Sequence, residues 1–307
     1  MGNTGSPRQG MLPPGDAEWL EADGLGGFAS GTVSGIRTRR YHALLLSAAS
    51  PPTDRFALVN GLEVWLETPT GNYSLSSHRY EPDVIHPDGH SRIKSFTSEP
   101  WPTWTFEVED GTRVVQELVA VHGQPRVCVR WSVSHADARS RLIVRPLLSC
   151  RDYHSLHHEN SVFAFDAVMD RETVTWHPYD GPPTVSIRSN GRYDHDPVWY
   201  RNFYYKEEAE RGLDATEDLA SPGSFVFNGC DADAVMILEA SLDRESLLDS
   251  SSAAKVRELF ERERARRSAF ATPLHRAGDS YIVQRGGGKT IIAGYPWFTD
   301  WGRDTFI

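Results

Sequence analysis

From about Trp19 to Glu239 the chain is built of short stretches in which apolar and polar residues alternate or apolar residues run together. The clearest are Tyr41–Leu46, Phe56–Leu66, Thr103–Val108, Arg113–Val121, Arg126–Val133, Arg141–Pro146, Val162–Val168, Thr173–His177, Thr184–Arg188 and Ala234–Leu238. Val, Thr, Phe, Tyr and Trp dominate them, the residues that fit a pleated, half-buried surface. Asn60-Gly61, Thr70-Gly71-Asn72, Asp88-Gly89, Asp110-Gly111 and Asn190-Gly191 fall between stretches. Such pairs supply the positive φ that tight hairpin turns need. Many strands with short turns and little helix predict antiparallel sheets. One open sheet of that size would curl or split, so two stacked sheets are expected. The fold class is therefore mainly β, a large antiparallel two-sheet β-sandwich over residues 15–243.

The pattern changes near residue 244. Arg244 to Phe270 reads as a helix, with Leu247, Leu248, Val256, Leu259 and Phe260 at roughly helical spacing. Its charge-dense part, Glu258 to Arg267, predicts a solvated face. Thr272-Pro273 is expected to end it. Residues 244–273 thus form a linker helix, or else a peripheral helix of the same domain. In residues 274–307, Ser280 to Gln284 and Thr290 to Ala293 read as two strands around a turn at Arg285 to Gly288. The chain then runs Gly-Tyr-Pro-Trp-Phe-Thr-Asp-Trp-Gly-Arg-Asp-Thr-Phe-Ile from Gly294 to Ile307. Its closing apolar pair looks like the start of a buried helix, so the expectation is a fragment of a longer protein.

Composition narrows the function classes. The 307 residues are 39% hydrophobic and 24% charged, as in a globular protein. No apolar run approaches the roughly 20 residues that span a bilayer, so no membrane partner is expected. Met1 to Pro14 lacks the apolar core of a secretory signal and reads as a disordered tail. The net charge of -10 argues against nucleic-acid binding. Cys128, Cys150 and Cys230 are odd in number and far apart. They read as free core thiols in a cytoplasmic protein.

Several local motifs carry less chemistry than their letters suggest. Gly24-Leu-Gly26-Gly-Phe-Ala29 fits a dinucleotide fingerprint, but Ser30 to Gly35 after it favours turn and strand over helix. Gly286-Gly-Gly-Lys289-Thr290 resembles a P-loop whose leading glycine position is Val283, so a hairpin turn is expected. Asp152, His154, His157, His158 and Glu159 are dense in metal-ligand types, yet no second cluster has metal spacing. No metal and no cofactor is expected there; a polar network at a domain edge is. Arg39, Arg40, Tyr41 and His42, with Asp152 and His154, are candidates for a domain interface or substrate path. The two arginines could grip carboxylates or sugar hydroxyls by forked hydrogen bonds, or stitch a long loop to the sandwich.

The terminal stretch is the densest. Tyr295, Trp297, Phe298 and Trp301 surround Asp300, Arg303 and Asp304. Aromatic faces cover the C–H faces of sugars, while carboxylates and guanidinium grip hydroxyls. The alternative is a helix N-terminus with Asp300 as cap and the aromatics as core. On chemistry alone the two stand level.

Ala293-Gly-Tyr-Pro-Trp-Phe-Thr-Asp-Trp-Gly-Arg-Asp-Thr305 closely resembles the opening of the catalytic barrel in bacterial and archaeal glycogen-debranching enzymes of the amylo-α-1,6-glucosidase type. Trp19-Leu-Glu-Ala-Asp-Gly-Leu-Gly-Gly-Phe-Ala-Ser-Gly-Thr-Val-Ser-Gly35, then Thr38-Arg-Arg-Tyr-His42-Ala-Leu-Leu, is similar to the signature of their N-terminal domain. Arg151-Asp-Tyr-His-Ser-Leu156 fits too, while Ala43 departs from an expected glycine. The resemblance implies a β-supersandwich, a linker, and the truncated start of an (α/α)6 barrel at 274–307. It implies that Trp301 packs on a terminal glucose and that Arg303 and Asp304 bind its hydroxyls; Tyr295, Trp297 and Asp300 are further candidates for substrate binding. It also implies an inverting hydrolase of α-1,6 branches in glycogen-like glucans. The two carboxyl groups, roughly 6.5–9.5 Å apart, would lie beyond Ile307, leaving this fragment inactive. The partners expected are glycogen or a branched glucan and the missing catalytic domain. A stand-alone glucan-binding module and a glucoamylase-like α-glucosidase are the alternatives. Residues 294–307 are expected to pack poorly, because Trp297, Trp301 and Phe306 lack barrel partners unless they dock on the sandwich.

Overall fold

The computed structural model describes residues 12–229, 232–241 and 251–305; Cys230, Leu247, Leu248, Phe306 and most of the expected N-terminal tail lie outside them. Two antiparallel sheets dominate. Among the described residues the larger has ten strands, in the order Glu18–Ala22, Phe28–Thr32, Leu45–Ser50, Thr53–Thr68, Arg141–Asp152, Thr216–Asn228, Arg192–Tyr204, His78–Tyr80, Val84–His86, with Gly71–Ser74 paired to Thr53–Thr68. The smaller has eight, in the order Ala167–Asp170, Thr173–Trp176, Thr184–Ser189, Ala234–Ser241, Arg126–Ser134, Arg113–Ala120, Thr103–Glu107, Ile93–Thr97. The mainly β, two-sheet expectation is thus what the chain adopts.

One core lies between the sheets. Leu58, Val64, Leu66, Val144 and Phe225 of the larger sheet meet Trp104, Phe106, Leu118, Trp131 and Trp176 of the smaller. Trp131 and Trp176 are buried completely. A buried aromatic removes some 150–250 Å² from water, so each contributes about 4–6 kcal/mol before entropy is charged. A smaller apolar group on the larger sheet's other face gathers Leu147, Phe203 and Leu219.

Several expectations need correction. Asn60-Gly61 is no turn: both residues are buried within the 16-residue strand Thr53–Thr68. Leu147 pairs with Gly61 and Leu148 with Val59, so Asn60 is the extra residue of a β-bulge. The glycine is there because Arg37 crosses it: a Cβ at Gly61 would stand 2.3 Å from Arg37 Nη1. Asn190-Gly191 joins strands of different sheets instead of closing a hairpin. Asp88 precedes a short 3-10 turn, Gly89–Arg92. The stretch Val162–Val168 is strand only from Ala167. By contrast, Asp110-Gly111 does link two paired strands, Thr103–Glu107 and Arg113–Ala120.

The helix after the sandwich is described from Ser252 to Ser268. Ser251 caps it by accepting from the Ala254 N–H. Its charged composition hides a narrow buried face: Val256, Leu259 and Phe260 pack on Trp101 and Val121 and on Val119, Cys128 and Ile237 of the smaller sheet. Arg267 is bound by Glu21, with Nη2 at 2.5 Å. Glu263, also buried, accepts from the His122 N–H at 3.0 Å. Thr272-Pro273 does not end a helix; Thr272 caps a new one, Pro273–Tyr281, by accepting from the His275 N–H. Proline is favoured there because the first turn has no use for its missing N–H. The hairpin that follows pairs Ile282–Arg285 with Gly288–Ile291, one or two residues from the sequence expectation. Gly286, at φ +54°, supplies the positive φ of its two-residue turn.

Candidate functional site

The site lies where residues 281–301 meet one end of the larger sheet. It starts from Asp23-Gly-Leu-Gly-Gly27. Gly24 and Gly26 have φ of +75° and +97°. The turn they allow folds the Asp23 carboxylate back onto its own loop, where Oδ1 accepts the Leu25 N–H at 2.7 Å. Gly27 is required because a Cβ would lie 2.4 Å from Asp23 Oδ2. Burial pushes the Asp23 carboxyl up to about 7.

Arg55 enters from the start of strand Thr53–Thr68 and is 1% exposed. Its guanidinium lies 5.8, 5.6 and 5.5 Å from the ring centroids of Phe28, Tyr153 and Tyr295. Its Nη1 donates to the Phe298 carbonyl at 3.0 Å. Burial lowers its pKa from the usual arginine value. Three aromatic faces and one carbonyl therefore hold a cation taken out of water.

The terminal segment closes over this group. Tyr295 meets Phe28 edge-on at 5.3 Å and Tyr281 at 5.6 Å. Trp297 lies under the Arg39 guanidinium at 5.5 Å. The Tyr153 hydroxyl donates to the Trp297 carbonyl at 3.2 Å, and the Gln284 N–H donates to the Gly24 carbonyl at 2.9 Å. Tyr295 and Trp297 thus dock on the sandwich, which corrects the expectation of loose packing for them. Phe298 and Trp301 stay 51% and 55% exposed, and Arg303 is exposed on the short helix Gly302–Thr305. Asp300 neither caps that helix nor lines an open cleft, because its carboxylate pairs with Arg285 and is nearly buried. The Asp304 side chain and Phe306 lie outside the described residues.

The expected interface residues form the wall behind this cradle. Arg39 binds Glu18 at 2.6 Å and Glu207 at 3.2 Å. Arg40 donates to the carbonyls of His154 and Asp214 at 2.7 and 3.0 Å, with Nε 3.4 Å from the fully buried Glu208 carboxylate. The arginines therefore grip carboxylates and stitch loops. Burial pushes His42 below its ordinary pKa, so the ring is neutral. Its Nδ1 accepts the Thr38 N–H at 3.1 Å, which leaves Nε2 to donate toward Glu18 at 3.3 Å. That hydrogen bond, with Arg39, holds the Glu18 carboxyl down at about 2. The Tyr41 hydroxyl meets His154 Nδ1 at 3.1 Å, and Asp152 accepts the His154 N–H at 2.9 Å. His154 to His158 follow the strand Arg141–Asp152 as turn and loop, so they share no strand face. Among the described residues no three His, Cys, Asp or Glu side chains are grouped to hold a metal.

The sequence reading missed the residues that anchor this wall. Glu217 is wholly buried and accepts from Arg151, from the Tyr205 hydroxyl, and from the His157 N–H at 3.1 Å. Arg151 in turn donates to the carbonyls of Arg40 at 2.7 Å and Tyr153 at 3.2 Å. Arg151 stood in a recognised motif, but nothing local marked Glu217 as its partner 66 residues away. Arg55 did leave a signal: a charged residue at the threshold of the apolar run Phe56–Leu66.

The family described as Glycogen debranching enzyme N terminal matches residues 17–236. Residues 276–307 match the family described as Amylo-alpha-1,6-glucosidase. No curated protein matches the chain. Among solved structures it is similar to a protein assigned as a kojibiose phosphorylase from the human microbiome, at 8% identity and TM-score 0.36, covering 85% of this chain and 34% of that one. It is also similar to a bacterial glucoamylase complexed with acarbose, at 10% identity and TM-score 0.37, covering 84% and 38% respectively. The chain spans about a third of the length of these structures. It belongs to the glycogen debranching enzyme N-terminal family.

Proposed function

We propose that this family member is the bracing domain of an amylo-α-1,6-glucosidase that removes glucose from the α-1,6 branches of glycogen-like glucans. Residues 15–243 are the sandwich, 244–273 the linker and 274–307 the first part of an (α/α)6 barrel. The observation that carries the reading is the docked segment. Tyr295 and Trp297 are held by Phe28, Arg39, Arg55 and Tyr153, and Trp301 and Arg303 project beyond them. Such an arrangement fixes the backbone of a sugar-gripping element without using its outer side chains. Positioning to a fraction of an ångström is what catalysis asks of a remote support.

In this reading Trp301 covers the apolar face of the terminal glucose, and Arg303 and Asp304 bind its hydroxyls. Tyr295, Trp297 and Asp300 act as positioning residues, with Asp300 held by Arg285. The two carboxyl groups of an inverting hydrolysis belong to later barrel helices, one protonating the leaving oxygen and the other activating water. The chain as given is inactive, and its setting is the cytoplasm.

The test is a longer reading frame that includes the barrel, assayed on a glucan with single-glucose α-1,6 branches and on linear α-1,4 maltooligosaccharides. Glucose release from the branched substrate is expected. Release from α-1,4 chains alone would replace debranching by a glucoamylase-like activity. Micromolar binding of glycogen by the 307-residue chain itself would instead favour a stand-alone binding module.

A further inference from the structure

Arg37 is 7% exposed, yet among the described residues it makes no ion pair and no hydrogen bond, and its Nε is buried without a partner. Its guanidinium rests 4.7 Å from the Phe203 ring centroid. Its Nη1 passes over Gly61, the bulge glycine that leaves it room. His78, 2% exposed, is a second orphan, with neither ring nitrogen in a hydrogen bond. Both side chains line a cavity of about 80 Å³ that also reaches Asn60 and Ser77 and is otherwise walled mainly by apolar side chains such as Leu62, Leu75 and Trp104. One water occupies roughly 10–15 Å³ of such space, so the cavity has room for several waters or one five-atom ion.

Two of the nearby carboxylates are already committed. Glu217 is shared by Arg151 and Tyr205, and Glu208 sits against Arg40. Glu63, on strand Thr53–Thr68, has one oxygen 4.0 Å from His78 Nε2, and its other oxygen accepts from Trp65 Nε1 at 2.8 Å. Burial keeps the His78 ring neutral, with one N–H to give. A buried cation without a counter-charge is costly, and a guanidinium fork beside an imidazole N–H matches a tetrahedral oxyanion. We propose that this cavity is a binding site for a small oxyanion of the phosphate or sulfate class, held by Arg37 and His78. It is separate from the docked terminal segment and does not depend on the glucosidase reading.

The test is thermal unfolding of the 307-residue chain in ~10 mM inorganic phosphate against sodium chloride of equal ionic strength. Binding to the folded state is expected to raise the midpoint by about 2–4 °C for a millimolar site. Arg37→Met keeps the volume and removes the cation; it is expected to fold by circular dichroism and to lose the shift. Phosphorus NMR on the wild-type chain gives an independent readout, in which the phosphate line broadens on binding and sharpens when sulfate displaces it. Equal midpoints in phosphate and chloride with no broadening, or an unchanged shift in Arg37→Met, would overturn the proposal.

Discussion

Replacing Glu217 by Gln tests whether the wall of the cradle rests on one buried carboxylate. Glu217 is the acceptor for Arg151, the Tyr205 hydroxyl and the His157 N–H, and Asn60 Nδ2 reaches it at 3.5 Å. The amide keeps one acceptor oxygen but turns an N–H₂ toward donors and removes the charge that balances Arg151. Removing one partner of a buried pair costs about 3–5 kcal/mol. Arg151 still has the carbonyls of Arg40, Asp152 and Tyr153 as acceptors, so the lower end, about 3 kcal/mol, is expected. With a urea m-value near 3 kcal/mol/M for a chain of this size, the midpoint drops by about 1 M.

Arg151→Met alone strands the carboxylate instead, whereas the double variant strands neither group. The double-mutant cycle should return a coupling energy of about 1.5–3 kcal/mol, measured by circular dichroism in urea. Because Arg151 also ties down Arg40 and Tyr153, Glu217→Gln should shift the emission of Trp297 to the red before the sandwich unfolds. A coupling below about 0.5 kcal/mol, or a loss of stability with no change at Trp297, would refute the link between the buried pair and the cradle.

Asp23→Asn tests the raised carboxyl at about 7. The folded state holds its proton where the unfolded chain has lost it, so wild-type stability relative to Asp23→Asn should fall as pH rises from about 4 to about 7. The full difference is about 4 kcal/mol; a flat difference across that window in paired urea titrations would contradict it. Phe260→Ala removes a side chain packed on Trp101 at 5.0 Å and should cost about 3–5 kcal/mol in thermal or urea unfolding. Tyr295→Ala should release the terminal segment while sparing the sandwich. Limited proteolysis after Arg285 would speed up, and far-UV circular dichroism would stay unchanged. If a longer reading frame shows the proposed glucosidase activity, Trp301→Ala should lower its kcat/KM by about tenfold or more at unchanged unfolding midpoint, since the ring is 55% exposed.

The sheet architecture was legible because a strand that faces a core leaves a period of two, as in Arg126–Ser134 and Arg113–Ala120. Arg192–Tyr204 and Thr216–Asn228 were missed because their polar residues are placed by distant partners: Glu217 by Arg151, and Tyr193 by the Pro222 carbonyl, to which its hydroxyl donates at 2.9 Å. Asn60-Gly61 misled for a related reason. The letters of a hairpin turn and of a bulge under a crossing arginine are the same, and only the tertiary neighbour decides between them. At the site, Trp297 and Arg39 were each flagged, but their stacking joins positions 258 residues apart, which no local pattern encodes.

The division of labour within the terminal segment follows from which side chains the sandwich can satisfy. Tyr295 and Trp297 give apolar surface to rings already organised around Arg55, and the carbonyls of Phe298 and Trp297 take up its N–H and the Tyr153 hydroxyl, respectively. A guanidinium in that position could not be left dry without them, so docking the segment and burying Arg55 are one event. Phe298, Trp301 and Arg303 remain exposed at the rim. An exposed aromatic–arginine pair on a rigid backbone is a poor element of a core and a good element of a binding wall. The same contact that stabilises the junction therefore orients the residues proposed to meet the sugar.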